Sequence, residues 1–479
     1  MKNFKNISMT MALLAALLLA GCGEVDAPSD PTGSVNPPGI GDASSRYVAI
    51  GNSLTAGWMD NGLMQVGQSG SYPRLIANQL GLSSTDFTIP WIAAPGISGV
   101  SSVDPSLVNG LLYFNGAGLS SLGSTPLADV QSTLLLAVSQ PTAYHNLGVP
   151  GAYLTHGMNA HDAASGDGNP FFNFINRSSF FGNSPVTLAA GPPPIVTQSG
   201  SMHYKAIAKG AALATVWLGN NDILGAATGG NPVPGDFDAM QFTDDYAAML
   251  STLAGGLAKA TGFTPTVVTA NIPGVTSAAF FLQEPTFVQA VGGVWPYGYV
   301  EADVQIVLFT ALSWITDPAN DGEPLPTHLT LTGQEVADVD AATTAFNQAI
   351  AGITANINTS GIAKCGMVDA NGALEGLAPA QRTHFLLLLG QGIDLTTAAA
   401  TTYFGLDGVH PNSLGYGFTA NLFIDMINSL DGTNHANVDL ASITWDPTYG
   451  QTLAVTKAGN NNLFSMSPEM AASMTRIFR

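Results

Sequence analysis

Five short apolar runs, separated by helix-like stretches, limit the fold of this chain more than any other feature. They are YVAI (47–50), AYHNL (143–147), LATVWL (213–218), TVVTAN (266–271) and CGMVDA (365–370). Runs this short and this continuously apolar suit strands covered on both faces, hence a parallel sheet between helical layers. Between the last strands, FTDDYAAMLSTLAGGLAKA sets Phe242, Tyr246, Met249, Leu250, Leu253 and Leu257 on one helical face. TGQEVADVDAATTAFNQAIAGI opens with Thr332 and Glu335, a capping-box pattern, and continues with a stripe of Val336, Val339, Ala342, Phe346 and Ile350. SLGYGFTANLFIDMINSL (413–430) is the expected last helix. These stripes read as core faces.

Five strands and their helices need only part of 479 residues. The excess falls into insertions near 83–140, 155–205 and 275–330, within one domain over 46–479, with no internal repeat. The second insertion holds NPFFNFINRSSFFG (169–182), whose five phenylalanines lack clean periodicity. It reads either as a satellite core under a long loop or as an apolar wall over a site. Hydrophobic residues make up 46% of the chain and charged ones 10%, so a large core is affordable and the surface is mostly neutral-polar. A net charge of −20 argues against nucleic acid as a partner, because phosphates need a basic footprint.

The same charge gives no attraction to anionic lipid, so any membrane attachment must have another source. Residues 1–21 supply one: Lys2 and Lys5 precede MALLAALLLA, an apolar run too short to span a bilayer comfortably, and then LAGC. The stretch resembles a bacterial lipoprotein signal, which implies lipidation of Cys22 and a lipid-anchored, exported protein. The plain alternative is an ordinary signal peptide with an incidental cysteine. Residues 22–45, rich in Pro, Gly, Ser and Asp, read as a flexible tether with an r.m.s. reach of roughly 25 Å. Gly23 is not the aspartate that resembles an inner-membrane retention signal, which favours the outer membrane. Cys365 is the other cysteine, so a CxxC redox or zinc motif is excluded, and its strand context suits a core thiol.

Four stretches could carry chemistry. GNSLTAG places Ser53 after the first strand, but serine needs a base oriented by a carboxylate to become a nucleophile. LDGVHPNSLGY puts Asp407 three residues before His410 on a glycine-containing turn ahead of the last helix, a spacing that lets the carboxylate hold the imidazole. WLGNNDIL ends a strand at Asn221, whose amide suits a fixed donor to an oxyanion. HNLGVPGAYL ends another at glycines that could offer a bare N–H. Each alone fits an ordinary turn; together, each follows a strand or precedes the last helix.

In that order the blocks resemble the GDSL/SGNH hydrolase family. GNSLTAG matches the first block, with Asn52 where the name-giving aspartate usually stands. NLGVPG, GNND and DGVH match the other three, over Tyr47 to about Leu430 with long insertions. TANIPGVTSAAFF and the LTGQEV helix look like larger bacterial lipoprotein members. The resemblance implies a three-layer α/β/α fold with a flavodoxin-like parallel sheet, which agrees with the strand reading. It implies Ser53 as nucleophile, His410 as base and acid, and Asp407 as its orienter. It also implies an oxyanion hole from the Ser53 N–H, the Gly151 N–H and the Asn221 side chain, with Gly148 a poorer-fitting rival to Gly151. No metal or cofactor is implied. Asn52 puts the stability of its turn in question more than catalysis, and Tyr153 is expected to narrow the pocket.

The expected activity is carboxylic ester hydrolysis, on short to medium acyl chains. Alternatives are a polysaccharide O-acetyl esterase and a surface lipoprotein that binds without catalysis. His156 and His161 lack a third metal ligand and the glutamate of HExxH. His145 reads as a core or near-site histidine, and His203, His328, His384 and His435 have no evident partner in the sequence.

Overall fold

The computed structural model describes residues 46–99, 106–108, 110–123, 125–126, 143–177, 182–189, 194–291, 303–320, 323–451, 466, 470, 471 and 474. The signal and tether expected over 1–21 and 22–45, Cys22 included, lie outside them.

Five parallel strands form the centre: β1 (Tyr47–Gly51), β2 (Asn146–Gly148), β3 (Leu213–Trp217), β4 (Thr266–Ala270) and β5 (Lys364–Val368). They lie in the order β2-β1-β3-β4-β5, with Ala49 opposite Asn146 on one side and Thr215 on the other. This is the flavodoxin-like order. All residues of β1, β3 and β4 are buried, as the continuous apolar runs require of strands covered on both faces. The second strand begins later than expected from the sequence. The His145 N–H and imidazole turn to Thr88 of the first insertion, with N···O 3.0 Å and Nδ1···Oγ1 2.9 Å, so regular pairing starts at Asn146.

The helices that matter to the site are α1 (Ser53–Ala56), α2 (Tyr72–Gln79), α3 (Met202–Ala208), α4 (Asn220–Gly229), α5 (Ala239–Thr261), α6 (Gly333–Ser360) and α7 (Ser413–Asp431). Packing of α3 and α6 on α5, and of α2 on α7, makes the two outer layers of an α/β/α sandwich. The predicted stripe of α5 is buried throughout, and so is that of α6. At the start of α6 the Thr332 N–H donates to Glu335 Oε2 (2.7 Å) and the Glu335 N–H to Thr332 Oγ1 (3.3 Å), the reciprocal capping box.

The insertions fold as small antiparallel units, among them Pro185–Ala189 with Ile195–Gln198 and a sheet of Phe281–Gln283, Val304–Leu308 and Thr330–Thr332. Their buried apolar side chains join the same continuous core as the central sheet. Phe171, Phe172 and Phe174 are buried, with Phe171 edge-on to Trp58 at 5.5 Å, so this part of the phenylalanine-rich segment is core; Phe180 and Phe181 lie outside the described residues. Cys365 is a buried free thiol whose burial pushes it up to about 12.

Candidate active site

In an open parallel sheet, ligands gather where the strand order reverses, at the carboxyl ends of the strands. Here β1 ends in a turn that immediately becomes α1, so Ser53 is the first residue of that helix. Asn52 caps it, its Oδ1 accepting the Leu54 N–H at 3.1 Å. Asparagine caps as well as aspartate, so the departure from the family's aspartate leaves the turn intact. Helix α1 lies tight against β2. The Asn146 Nδ2 donates to the Thr55 carbonyl (2.8 Å) while Asn146 Oδ1 accepts the Gly148 N–H (2.9 Å), which occupies the donor that rivalled Gly151.

Ser53 Oγ lies 2.9 Å from His410 Nε2, and His410 Nδ1 lies 3.1 Å from Asp407 Oδ2. All three residues are buried. Asp407 also accepts the Val409 N–H (2.9 Å) and His410 N–H (2.8 Å) on Oδ1, and the Asn61 N–H (2.8 Å) on Oδ2. Burial pushes this carboxyl up, but His410 and the backbone donors outweigh it and hold it below the ordinary carboxylate range. An ionised carboxylate only accepts, so the His410 proton sits on Nδ1 and Nε2 is free to take the Ser53 proton. The imidazole is flanked by Trp58, ring centroids 6.1 Å apart.

The stretch after β2 is a turn of type II character: Pro150 precedes Gly151 at φ 77°, and the Ala152 N–H returns to Val149 O at 3.0 Å. Two side chains from the start of α4 tie it down. Asn221 Nδ2 donates to Ala152 O (3.0 Å), and Asp222 Oδ2 accepts the Leu154 N–H (3.0 Å). Among the described residues, neither the Ser53 N–H nor the Gly151 N–H has a hydrogen-bond acceptor, and Asn221 Nδ2 keeps a second proton. Open donors of this kind can hold a developing oxyanion where they face the reacting carbonyl.

Ser53, Asn221 and His410 line an open cleft. Its walls are mostly apolar and come from α7, from 273–278 after β4, and from 370–377 after β5; they include Leu54, Leu224, Val275, Leu374, Phe418 and Leu422. Among the described residues, neither Gly151 nor any residue of 169–177 lines it. Nor does Tyr153, contrary to the expectation that it narrows the pocket; its ring packs edge-on to His156 at 5.4 Å.

The histidines without an obvious role find structural ones. His156 Nε2 pairs with Asp167 (3.1 Å). His203 Nε2 lies 3.1 Å from both Met249 O and Thr252 Oγ1. His384 was not expected near the site, yet its Nε2 lies 3.0 Å from the carbonyl of Leu406, the residue before Asp407. Its Nδ1 accepts the Leu386 N–H (3.2 Å), so Nε2 carries the proton, and burial lowers the imidazole to about 4, keeping it neutral. Asp60 and Asn61 were also missed. The DNG triplet at 60–62 is a local turn signal, but nothing in it points to the acid loop.

A family model described as GDSL-like Lipase/Acylhydrolase matches residues 47–423, most of the chain. No curated protein and no solved structure matches it.

Proposed function

This chain belongs to the GDSL-like lipase/acylhydrolase family, a family of ester-hydrolysing enzymes, and we propose that it cleaves carboxylic esters of short to medium acyl chains by a Ser53–His410–Asp407 triad. The observation that carries this is the unbroken line of hydrogen bonds from Ser53 Oγ through His410 to Asp407, opening on an apolar cleft. Ser53 Oγ attacks the ester carbonyl carbon as His410 Nε2 takes its proton. The Ser53 and Gly151 N–H groups and Asn221 Nδ2 hold the oxyanion of the tetrahedral intermediate. As it collapses, the bond to the alcohol breaks and His410 returns the proton to the leaving oxygen. Water then attacks the acyl-serine by the same route, releasing the acid and restoring Ser53.

We further propose that the protein is exported and held to the cell envelope by lipid on Cys22, with the outer membrane as destination. The support is in the sequence: the lysines, the short apolar run, LAGC, and Gly23 in place of aspartate.

The test is hydrolysis of an ester series from acetyl to long acyl, with wild type and Ser53→Ala in parallel. The variant should lose roughly 10³-fold or more, and the wild type should be fastest on short to medium chains. Equal rates for the two proteins would remove the triad assignment. An optimum at acetyl, with release of acetate from O-acetylated polysaccharide, would select the acetyl-esterase alternative.

A further inference from the structure

A second buried carboxylate stands behind the first. Asp60 and Asn61, at φ 53° and 61°, form the centre of a tight turn closed by Met59 and Gly62, whose N–H groups bond each other's carbonyls at 2.9 and 3.1 Å. Both central residues in the left-handed region give the turn type I′ character. This turn meets the loop that carries Asp407 at two consecutive residues. Asp60 Oδ1 accepts the Leu406 N–H at 2.5 Å, and the Asn61 N–H donates to Asp407 Oδ2 at 2.8 Å.

Asp60 is itself held from the far end of the chain. Its Oδ2 accepts the Trp445 Nε1–H at 3.0 Å and the Tyr449 hydroxyl. Trp445 packs edge-on against Phe385, centroids 5.5 Å apart, beside His384, whose Nε2–H donates to the Leu406 carbonyl. The Leu406 peptide is thus gripped on both sides, its N–H by Asp60 and its C=O by His384. Trp445 and Tyr449 lie beyond the span matched by the family model, which ends at 423. Gly405, one residue earlier, has no room for a side chain, because a Cβ there would lie 2.7 Å from Asp60 Oδ1.

We propose that Asp60, clamped by Trp445 and Tyr449, is a positioning residue that sets the register of Leu406–Asp407 and through it the aim of His410 at Ser53. This rests on the hydrolase reading. Asp60 takes no part in bond making. Its effect is to hold a peptide whose displacement would lengthen the Asp407–His410 and His410–Ser53 contacts together. Asp60→Asn keeps the shape of the side chain but removes the charge. It also leaves its amide group facing donors on one side or the other, because Leu406, Trp445 and Tyr449 all donate.

The test measures kcat and KM on p-nitrophenyl butyrate, the rate of Ser53 labelling by a fluorophosphonate, and the melting temperature, in the full chain. Asp60→Asn should lower kcat and the labelling rate together by roughly 10–100-fold, the range that outer hydrogen-bond partners command at metal sites. KM should stay within about twofold, as expected when only transition-state geometry is lost. Trp445→Phe and Tyr449→Phe keep the carboxylate and remove one donor each. Each should lower kcat several-fold at unchanged KM, and they decide the matter if Asp60→Asn does not fold. Wild-type kcat and labelling in a folded Asp60→Asn protein, or in both donor variants, would overturn the proposal. A wild type that neither cleaves the ester nor takes the label would overturn the hydrolase reading, and this inference with it. A wild type that does both, beside unaffected variants, overturns the inference alone.

Discussion

Gly148→Ala adds one methyl group to the last residue of β2, and the surroundings of that methyl decide its effect. A Cβ built there lies 2.7 Å from the Thr55 carbonyl carbon and 2.8 Å from Thr55 Cβ, with the Ala56 nitrogen closer still. Two of these three atoms are backbone of α1, so no rotamer change relieves the contact. Ordinary carbon contacts begin near 3.5 Å. The α1 turn and β2 must therefore separate by of order 1 Å, against the Asn146–Thr55 hydrogen bond that holds them together. Ser53 opens α1, so it moves with that turn and its 2.9 Å contact with His410 Nε2 is disturbed. A displacement of about 1 Å at a reacting group is enough to cost roughly 10²-fold in rate, and overpacking of this kind destabilises by about 1–3 kcal/mol. Steady-state kcat and fluorophosphonate labelling should both fall by about two orders of magnitude. Gly255→Ala is the control: it lies within α5, and nothing stands within 4 Å of its added methyl. It should leave activity unchanged and stabilise the helix by up to about 1 kcal/mol. Gly148→Ala with wild-type turnover would refute the claim that the α1–β2 contact sets the position of Ser53.

Two further outcomes can be measured directly. Burial raises the Asp222 carboxyl from 3.8 to about 7 against the Leu154 N–H bond that lowers it, so the folded protein keeps this proton where the unfolded chain has released it. Between those values the unfolded state binds fewer protons and stability falls as pH rises, by at most about 4 kcal/mol for this part-buried group; Asp222→Asn should therefore gain on wild type in urea unfolding from pH 4.5 to 7, and parallel pH curves would contradict the raised carboxyl. For the anchor, Cys22→Ser should move the protein from the membrane fraction to the soluble extract, and unchanged fractionation would rule out lipidation at that residue.

Much of the sheet was legible because its strands are buried on both faces, and continuous apolar runs such as TVVTAN leave few alternatives. The strand over 143–147 was displaced because His145 answers to Thr88, a contact across an insertion that no local pattern encodes. Ser53, Asn221, Asp407 and His410 could be picked out because each sits at a strand end or glycine turn with a residue type that chemistry uses. The cleft wall could not. Val275, Leu374 and Phe418 read as ordinary core residues in their own segments and become a wall only when the last helix converges with the segments after β4 and β5. The phenylalanines of 171–174 invited the opposite error, since a conspicuous cluster in an insertion became support behind Trp58.

The Asp60 arrangement was the least visible, because its partners are separated by 346 and 385 residues. Stability alone does not account for it. Asp60 is fully buried, and burial raises it to about 7 despite its hydrogen bonds to Tyr449, Leu406 and Trp445, with the charge on Asp407 adding to the rise. A buried carboxylate near neutral pH carries a desolvation cost that an apolar side chain would not. An apolar side chain, however, would leave the Leu406 N–H, the Trp445 Nε1–H and the Tyr449 hydroxyl without their acceptor, and would release the peptide next to Asp407. The carboxylate is the group that satisfies all three donors at once while fixing the direction of Leu406. What it contributes is geometry at the acid loop, obtained at the expense of stability near neutral pH.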